Sequence, residues 1–438
     1  MHWEQLLNEA VHYLQEYLQI QTVNPPGNEV EGARFFKKIF DAESIPCQLF
    51  EPSPGRGNLL ATLKGSGEKK PILLLSHIDV VPVEKEGWEV DPFEGIIKDG
   101  YLYGRGALDN KSMGIVEMMV LLILKQEKIP LKRDILFFAT ADEEMGGKWG
   151  VQWAMENVPS LKESEYAFNE GGNIMLDDDG LPDRYQISCG QKVVFQLKLR
   201  AKGRSGHGSM PHSDNPNVKL IQALEKIIKW ETPYNILPMV KEYFLKMASK
   251  QPPEERKFFE DIEKGLSHPD FSKRLTSNII HNAMVRDTLS LTILQGGNKS
   301  NVIPSESTAT FDCRLIPSSS KENFLKEIKE RSGDQLEVEV VMESQSVPPS
   351  PLDTDLFRAI QKCASQIDPD CPLVPYLLAG ATDSRFLREK GIITYDFSPF
   401  RLTEKELMKV HGNNERIALE NLRFGMKLMV DILKEIAT

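Results

Sequence analysis

Seven imidazole and carboxylate side chains stand where this chain is expected to leave a buried strand or make a glycine turn. They are His77 and Asp79 in SHIDVVP, Asp109 in GRGALDNK, Glu143 and Glu144 in ADEEMGG, Glu170 in NEGG, and His411 in VHG. Neutral imidazole nitrogen and carboxylate oxygen are donors that suit zinc. Two metal ions a few ångströms apart need one bridging carboxylate, with imidazole and carboxylate on each side. One Asp, two His and two Glu meet that stoichiometry, and a further carboxylate is left to act as general base on water. Adjacent carboxylates such as Glu143 and Glu144 are costly to bury without cations, and a dimetal centre removes that cost. Taken singly, each group has a plainer reading. His77 and Asp79 make a core histidine beside a capping aspartate, Asp109 a helix cap, Glu143 and Glu144 a solvated loop, and His411 a turn residue. Their common placement favours one site.

The elements that must position these groups read as alternating strands and helices. Residues 72–75 (ILLL) run straight into Ser76 and His77, as a strand buried on both faces of a parallel sheet does. Ligands of open α/β sheets collect at the ends of such strands. His77 and Asp79, two positions apart on an extended chain, point to the same side. Residues 134–140 (DILFFAT) and 166–168 predict two more buried strands, and 110–125 a helix that is apolar on several sides. The order strand, helix, strand, helix indicates an α/β domain. From about Gly190 the pattern changes. Residues 193–199, 287–294 and 306–315 alternate apolar and polar, as half-solvated strands do. With helices over 218–230 and 321–331 and a strand over 336–341, they predict a split-βαβ, ferredoxin-like layout. Residues 231–275 are charged and helix-prone and read as an insertion. The α/β style resumes after about 345. The expected organisation is a catalytic α/β domain in two parts, 1–189 and 345–438, interrupted by an α+β domain over 190–344.

Composition narrows the function classes. The 438 residues carry a net charge of −11 with no long basic run, which disfavours nucleic acid as a partner. The five cysteines are scattered without C-x-x-C spacing, as reduced thiols of a cytoplasmic protein are. Residues 1–20 have helical apolar spacing and no basic leader, so they read as an amphipathic helix and not a signal peptide. The longest apolar stretch, 115–124, contains Glu117 and is too short to span a bilayer.

The motifs SHIDVVP, GRGALDNK, ADEEMGG, NEGG, GHGSMP and VHG, in this order, resemble the dizinc aminoacylase/carboxypeptidase metallopeptidase family. Its members include aminoacylases, carboxypeptidase S, bacterial glutamate carboxypeptidase, acetylornithine deacetylase and succinyl-diaminopimelate desuccinylase. The loop with Trp88 and DPFEG most resembles the aminoacylase and carboxypeptidase S-like branch. The resemblance covers nearly the whole chain. It implies a zinc-exopeptidase-like mixed sheet flanked by helices, and two zinc ions, with cobalt or manganese as substitutes. His77, Asp109 and Glu170 are then ligands of one ion. Asp109 bridges to a second ion held by Glu144 and His411. Asp79 orients His77, Glu143 is the general base and later proton donor, and the Asp109–Asn110 peptide is cis.

The inserted domain enters by the same resemblance. His207 in GRSGHGSMP matches a family histidine that reaches a partner's active site and stabilises an oxyanion. Asn301 in NVIP and Arg314 in DCRL match substrate-binding positions, and an arginine fork suits a free carboxylate. A strand-surface ion pair is the alternative for Arg314. AGATDSRF departs from the commoner G-G-T-S-D form, and only Gly380 and Thr382 are carried over from it. The expected activity is hydrolysis of an amide next to a free carboxylate, by an N-acyl-amino-acid hydrolase or carboxypeptidase. A dipeptidase or deacetylase of the same chemistry is the alternative, and a non-catalytic binding protein the third reading. Use of His207 in trans implies a homodimer through the inserted domain; a monomer whose 231–275 insertion supplies that contact is the other arrangement.

Overall fold

The computed structural model describes residues 2–438. The chain divides into two compact units. The first runs to Cys189 and resumes over Ser350–Tyr376 and Thr382–Thr438. The second comprises Gly190–Pro349 and Leu377–Ala381.

The first unit is built on a ten-stranded mixed sheet. Its centre is four parallel strands in the order Ile135–Thr140, Ile72–His77, Tyr166–Asn169 and Ile393–Asp396. Every residue of Ile72–His77 and Ile135–Thr140 is buried, which is why these strands lack polar alternation. Successive side chains go to opposite faces. Leu73, Leu75, Leu136 and Phe138 join Val151, Ala154 and Met155 in one core cluster. On the other face Phe137 meets Phe36 and Phe40, with ring centroids 5.0 and 5.2 Å away. The helix Lys111–Gln126 is buried from Lys111 to Leu124, and packs against Trp3–Gln19, Leu419–Ala437 and the strand Ile72–His77. Being enclosed by other elements, it has no polar face to present. The turns after three of these strands carry site residues: Asp79 after Ile72–His77, Glu143 and Glu144 after Ile135–Thr140, and Glu170 after Tyr166–Asn169.

The second unit contains a four-stranded antiparallel sheet in the order Thr288–Gln295, Glu306–Leu315, Val193–Lys202, Leu336–Glu343. With helices Pro216–Ile228 and Lys321–Ser332 between strands, this is the ferredoxin-like arrangement that the alternation predicts. Val193–Lys202 alternates buried and half-buried positions along nearly its whole length. Phe195, Leu197 and Leu199 pack with Leu220, Leu224, Phe324 and Ile328 of the helices. The insertion is helical, as expected, but continues past 275 to Val285. Asn278 accepts the N–H groups of Ile280 and His281 and so starts a further helix, Ile279–Val285. Among the described residues no helix is long and apolar enough to cross a membrane.

Candidate metal centre

His77 ends its strand on the floor of the site, with its side chain 1% exposed. Its Nε2 lies 2.9 Å from Asp109 Oδ1 and 3.3 Å from Glu170 Oε2. Its Nδ1 lies 2.9 Å from the main-chain oxygen of Asp79. The Asp79 carboxylate is farther from Nδ1, at 3.7 Å. The carbonyl therefore takes the closer hydrogen bond that orients the ring. The carboxylate instead accepts the N–H groups of Glu143 and Glu144, each at 3.1 Å, and the Asn24 amide at 2.8 Å. Asp79 thus joins the strand end to the turn that carries the acidic pair.

Asp109 comes from the glycine turn, and its peptide bond to Asn110 is cis, as the motif resemblance implies. Glu415 fixes this turn. Its fully buried carboxylate accepts N–H groups of Gly106, Leu108 and Asp109, and pairs with Arg105 at 2.6 Å. Arg105 also donates to the carbonyl of His411 at 3.1 Å. One ion pair therefore ties the Asp109 turn to the His411 loop. His411 adopts a left-handed backbone (φ 61°) and its side chain is 50% exposed at the rim. Its Nε2 lies 3.1 Å from Asp109 Oδ2 and 3.2 Å from Glu144 Oε1. The two Asp109 oxygens face two different histidines.

This density of charge perturbs His77, His411, Asp109, Glu143 and Glu170. Burial opposes charge on His77, but Glu170 and the hydrogen bonds to Asp109 and Asp79 hold its imidazole well above the usual range. Hydrogen bonds to Asp109 and Glu144 raise His411 to about 10. Asp109 goes down: burial opposes its charge, yet His411 and His77 outweigh burial. Glu143 goes well up, through burial and repulsion by Glu170. Glu170 rises to about 8 through burial, with His77 opposing and Asp109 adding to the rise. Without cations the cup cannot keep all its carboxylates ionised. The donor atoms of His77, Asp109 and Glu144 lie within 4.8 Å of one another, as do those of His77, Glu143 and Glu170. Two imidazoles, hard carboxylates and one carboxylate shared by both histidines are a donor set that fits two divalent cations, which take the place of the protons on the imidazoles.

The family model "Peptidase family M20/M25/M40" matches residues 73–435. The chain belongs to this family. It is accordingly a hydrolase of the metallopeptidase and amidohydrolase type. It is 30% identical to mouse "N-fatty-acyl-amino acid synthase/hydrolase PM20D1", over 96% of this chain and 86% of that protein. It is 28% identical to pig aminoacylase-1, over 98% of this chain and 95% of that one. Its fold matches an M20 family metallo-carboxypeptidase from Sulfolobus solfataricus with a TM-score of 0.71 and 20% identity, covering 97% and 98% of the two chains.

Of the residues expected at this M20 site, His77, Asp79, Asp109, Glu143, Glu144, Glu170 and His411 come together in the first unit. Thr382 is there too, buried, while Gly380 belongs to the second unit. His207, Asn301 and Arg314 also belong to the second unit. His207 is exposed, lies on a two-residue ladder opposite Val302, and has Nδ1 2.7 Å from Ser209 Oγ. The Asn301 carbonyl accepts Gly208 N–H beside it. Arg314 grips Asp312 through two bonds, at 2.8 and 3.0 Å. This is the strand-surface pair that was the alternative for it.

Four residues around the cup were not singled out from the sequence: Asn24, Arg105, Asp383 and Glu415. Asn24 links Asp79 to Arg56, accepting Arg56 Nη2 at 3.0 Å. Asp383 is buried with neither carboxylate oxygen hydrogen-bonded, facing Gly147 of the acidic turn. Arg105 and Asp383 stand inside motifs already quoted, GRGALDNK and AGATDSRF, and Glu415 lies four residues after His411. The signal was an unexplained charge in an otherwise apolar or glycine-rich context.

Proposed function

We propose that this chain hydrolyses the amide bond of an N-acyl amino acid or a peptide with a free C-terminal carboxylate, using two zinc ions. The observation that carries the reading is Asp109, whose two oxygens face His77 and His411, with Glu143 on the adjoining turn. His77, Asp109 and Glu170 would hold one ion, and Asp109, Glu144 and His411 the other. When bound, the ions supply Lewis-acid polarisation and neutralise the cup's negative charge. Glu143 takes a proton from the attacking water and returns it to the leaving amine. Asp79 positions Glu143 and Glu144 through their N–H groups. Arg314 meets the substrate's carboxylate by giving up its bonds to Asp312; Asn301, Gly380 and Thr382 are further substrate-binding residues, and His207 stabilises the oxyanion.

The relatives that act on acyl amino acids support the acyl-amino-acid form of this reading. The test is turnover of acyl amino acids and dipeptides with zinc, cobalt or manganese, alongside metal analysis of Glu143→Gln. We expect two ions per chain to remain and kcat to fall by two to four orders of magnitude, the usual contribution of a general base. Undiminished turnover with both ions bound refutes the role of Glu143. Turnover of dipeptides alone would shift the reading to a dipeptidase.

We also propose that the second unit forms a homodimer. Its outer strand Thr288–Gln295 exposes Ile293 and Leu294, and helix Pro216–Ile228 exposes Val218, Ile221 and Ile228. An unpaired edge beside such a patch is a docking surface, and a second copy supplies a matching one. The five free cysteines favour the cytoplasm, which imaging of a tagged chain tests.

A further inference from the structure

The second unit contains a concavity that the proposed hydrolysis does not use. It lies between the end of helix Pro216–Ile228 and the start of strand Thr288–Gln295, and its volume is about 290 Å³. That is close to the lower end for small-molecule pockets. Trp230, Leu289, Leu291 and Phe311 supply apolar wall. The cation is Arg286. It is 8% exposed, and its Nε is buried without a hydrogen-bond partner. A buried donor without an acceptor is costly, and such a group is expected to have a use.

Arg286 is held in place. Its guanidinium carbon stacks 4.2 Å from the centroid of the Tyr234 ring, and its main-chain carbonyl accepts Lys192 Nζ at 2.8 Å. Neither nearby acid satisfies it. Asp287 uses its Oδ1 on Ile316 N–H at 2.6 Å and on the Ser319 hydroxyl at 2.8 Å. Glu231 approaches Arg286 Nη1 only to 3.6 Å, from a side chain that is 87% exposed. That is beyond a good hydrogen bond, and an exposed pair of this kind holds weakly. The cavity therefore presents an apolar wall, a rigid guanidinium fork, and a loosely placed carboxylate that an incoming one can displace.

We propose that this cavity binds a monocarboxylic acid with an aliphatic or aromatic body. The acid's carboxylate takes the Arg286 fork in place of Glu231, and its body lies against Trp230, Leu289, Leu291 and Phe311. A planar fork matches a carboxylate better than any single-point anion. The inference does not rest on the hydrolytic reading, although the acid released by such a reaction belongs to this class.

Trp230 makes binding visible. Octanoate and phenylacetate are titrated into the full metal-loaded chain while tryptophan emission is followed, with octanol as the apolar control. We expect a saturable change with both acids that disappears in Trp230→Phe. Arg286→Met should weaken binding tenfold or more. Glu231→Gln should tighten it severalfold, because the competing carboxylate is gone. A merely structural Arg286–Glu231 pair predicts no tightening. Equal affinity in Arg286→Met, unchanged or weaker binding in Glu231→Gln, or octanol binding as well as octanoate overturns the proposal. Should Arg286→Met fail to fold by its melting curve, Leu291→Trp fills the cavity instead, and octanoate binding that survives it overturns the proposal. Turnover of acyl amino acids is scored separately, so loss of either reading leaves the other standing.

Discussion

Asp383→Asn removes a charge from the wall of the acidic turn while keeping its shape. Asp383 is 1% exposed, and neither of its oxygens has a hydrogen-bond partner. A Cβ built on Gly147 would come within 2.3 Å of its Oδ1, so the carboxylate lies hard against that turn. Burial pushes the carboxyl up to about 7; Arg385 pulls it down, and Asp79 pushes it further up. In an unfolded chain the same group titrates near 3.9. The folded state therefore binds the proton more tightly. Its stability falls as pH rises from about 4 to about 7, and the full loss is present above that window. The loss is about 4 kcal/mol at most, since part of the repulsion is shared with Glu143. Asparagine does not titrate. The variant should lie within about 1 kcal/mol of the wild type near pH 4.5 and exceed it more at pH 8, where at roughly 2 °C per kcal/mol the melting temperature rises by several degrees. The assay is thermal melting of chelator-treated protein at pH 4.5, 6 and 8. A difference between variant and wild type that is the same at all three pH values refutes the argument. A second readout is the pH profile of turnover. Asp383 repels Glu143, so its neutralisation lowers the Glu143 pKa and moves the acid limb of kcat/KM to lower pH.

Glu415→Gln tests the tie between the Asp109 turn and the His411 loop. Burial pushes the Glu415 carboxyl up despite Arg105, so the pair is not itself a source of stability. The loss arises because Arg105, 2% exposed, is left charged without a counter-ion. Breaking such a pair costs about 3–5 kcal/mol. The melting temperature should fall by several degrees and metal content should drop; a change below 1 °C with two ions still bound refutes it. Ile221→Glu places a charge on the exposed stripe of helix Pro216–Ile228. Light scattering should then give half the wild-type mass, and a wild-type chain that is already monomeric refutes the proposed dimer.

How much of this was legible in the sequence depends on how far apart the interacting residues lie. Strands buried on both faces are continuous apolar runs, so ILLL and ILFFAT could be placed in a parallel sheet. The half-solvated strands Val193–Lys202 and Glu306–Leu315 alternate, so the ferredoxin-like order could be read as well. Both patterns are local. The helix Ile279–Val285 was also marked locally, by the capping Asn278, but it lies past the charged run that defined the insertion. Arg105 and Glu415 are 310 positions apart, and no spacing rule joins them. Asp383 could not be distinguished from a helix-capping aspartate, because only the fold shows that its carboxylate caps nothing.

Asp79 shows the limit most clearly. An H-x-D pair at a strand end invites a bond from the aspartate side chain to the imidazole. Here the main chain curls under the ring, so the Asp79 carbonyl is nearer to Nδ1 than its carboxylate is. The carboxylate is thereby free to hold the N–H groups of Glu143 and Glu144, from a turn more than sixty residues later. Residue types at the strand ends indicate which atoms can bind metal. Which backbone group holds each of those atoms in place is decided by the fold, and that holding is what gives the cup its geometry.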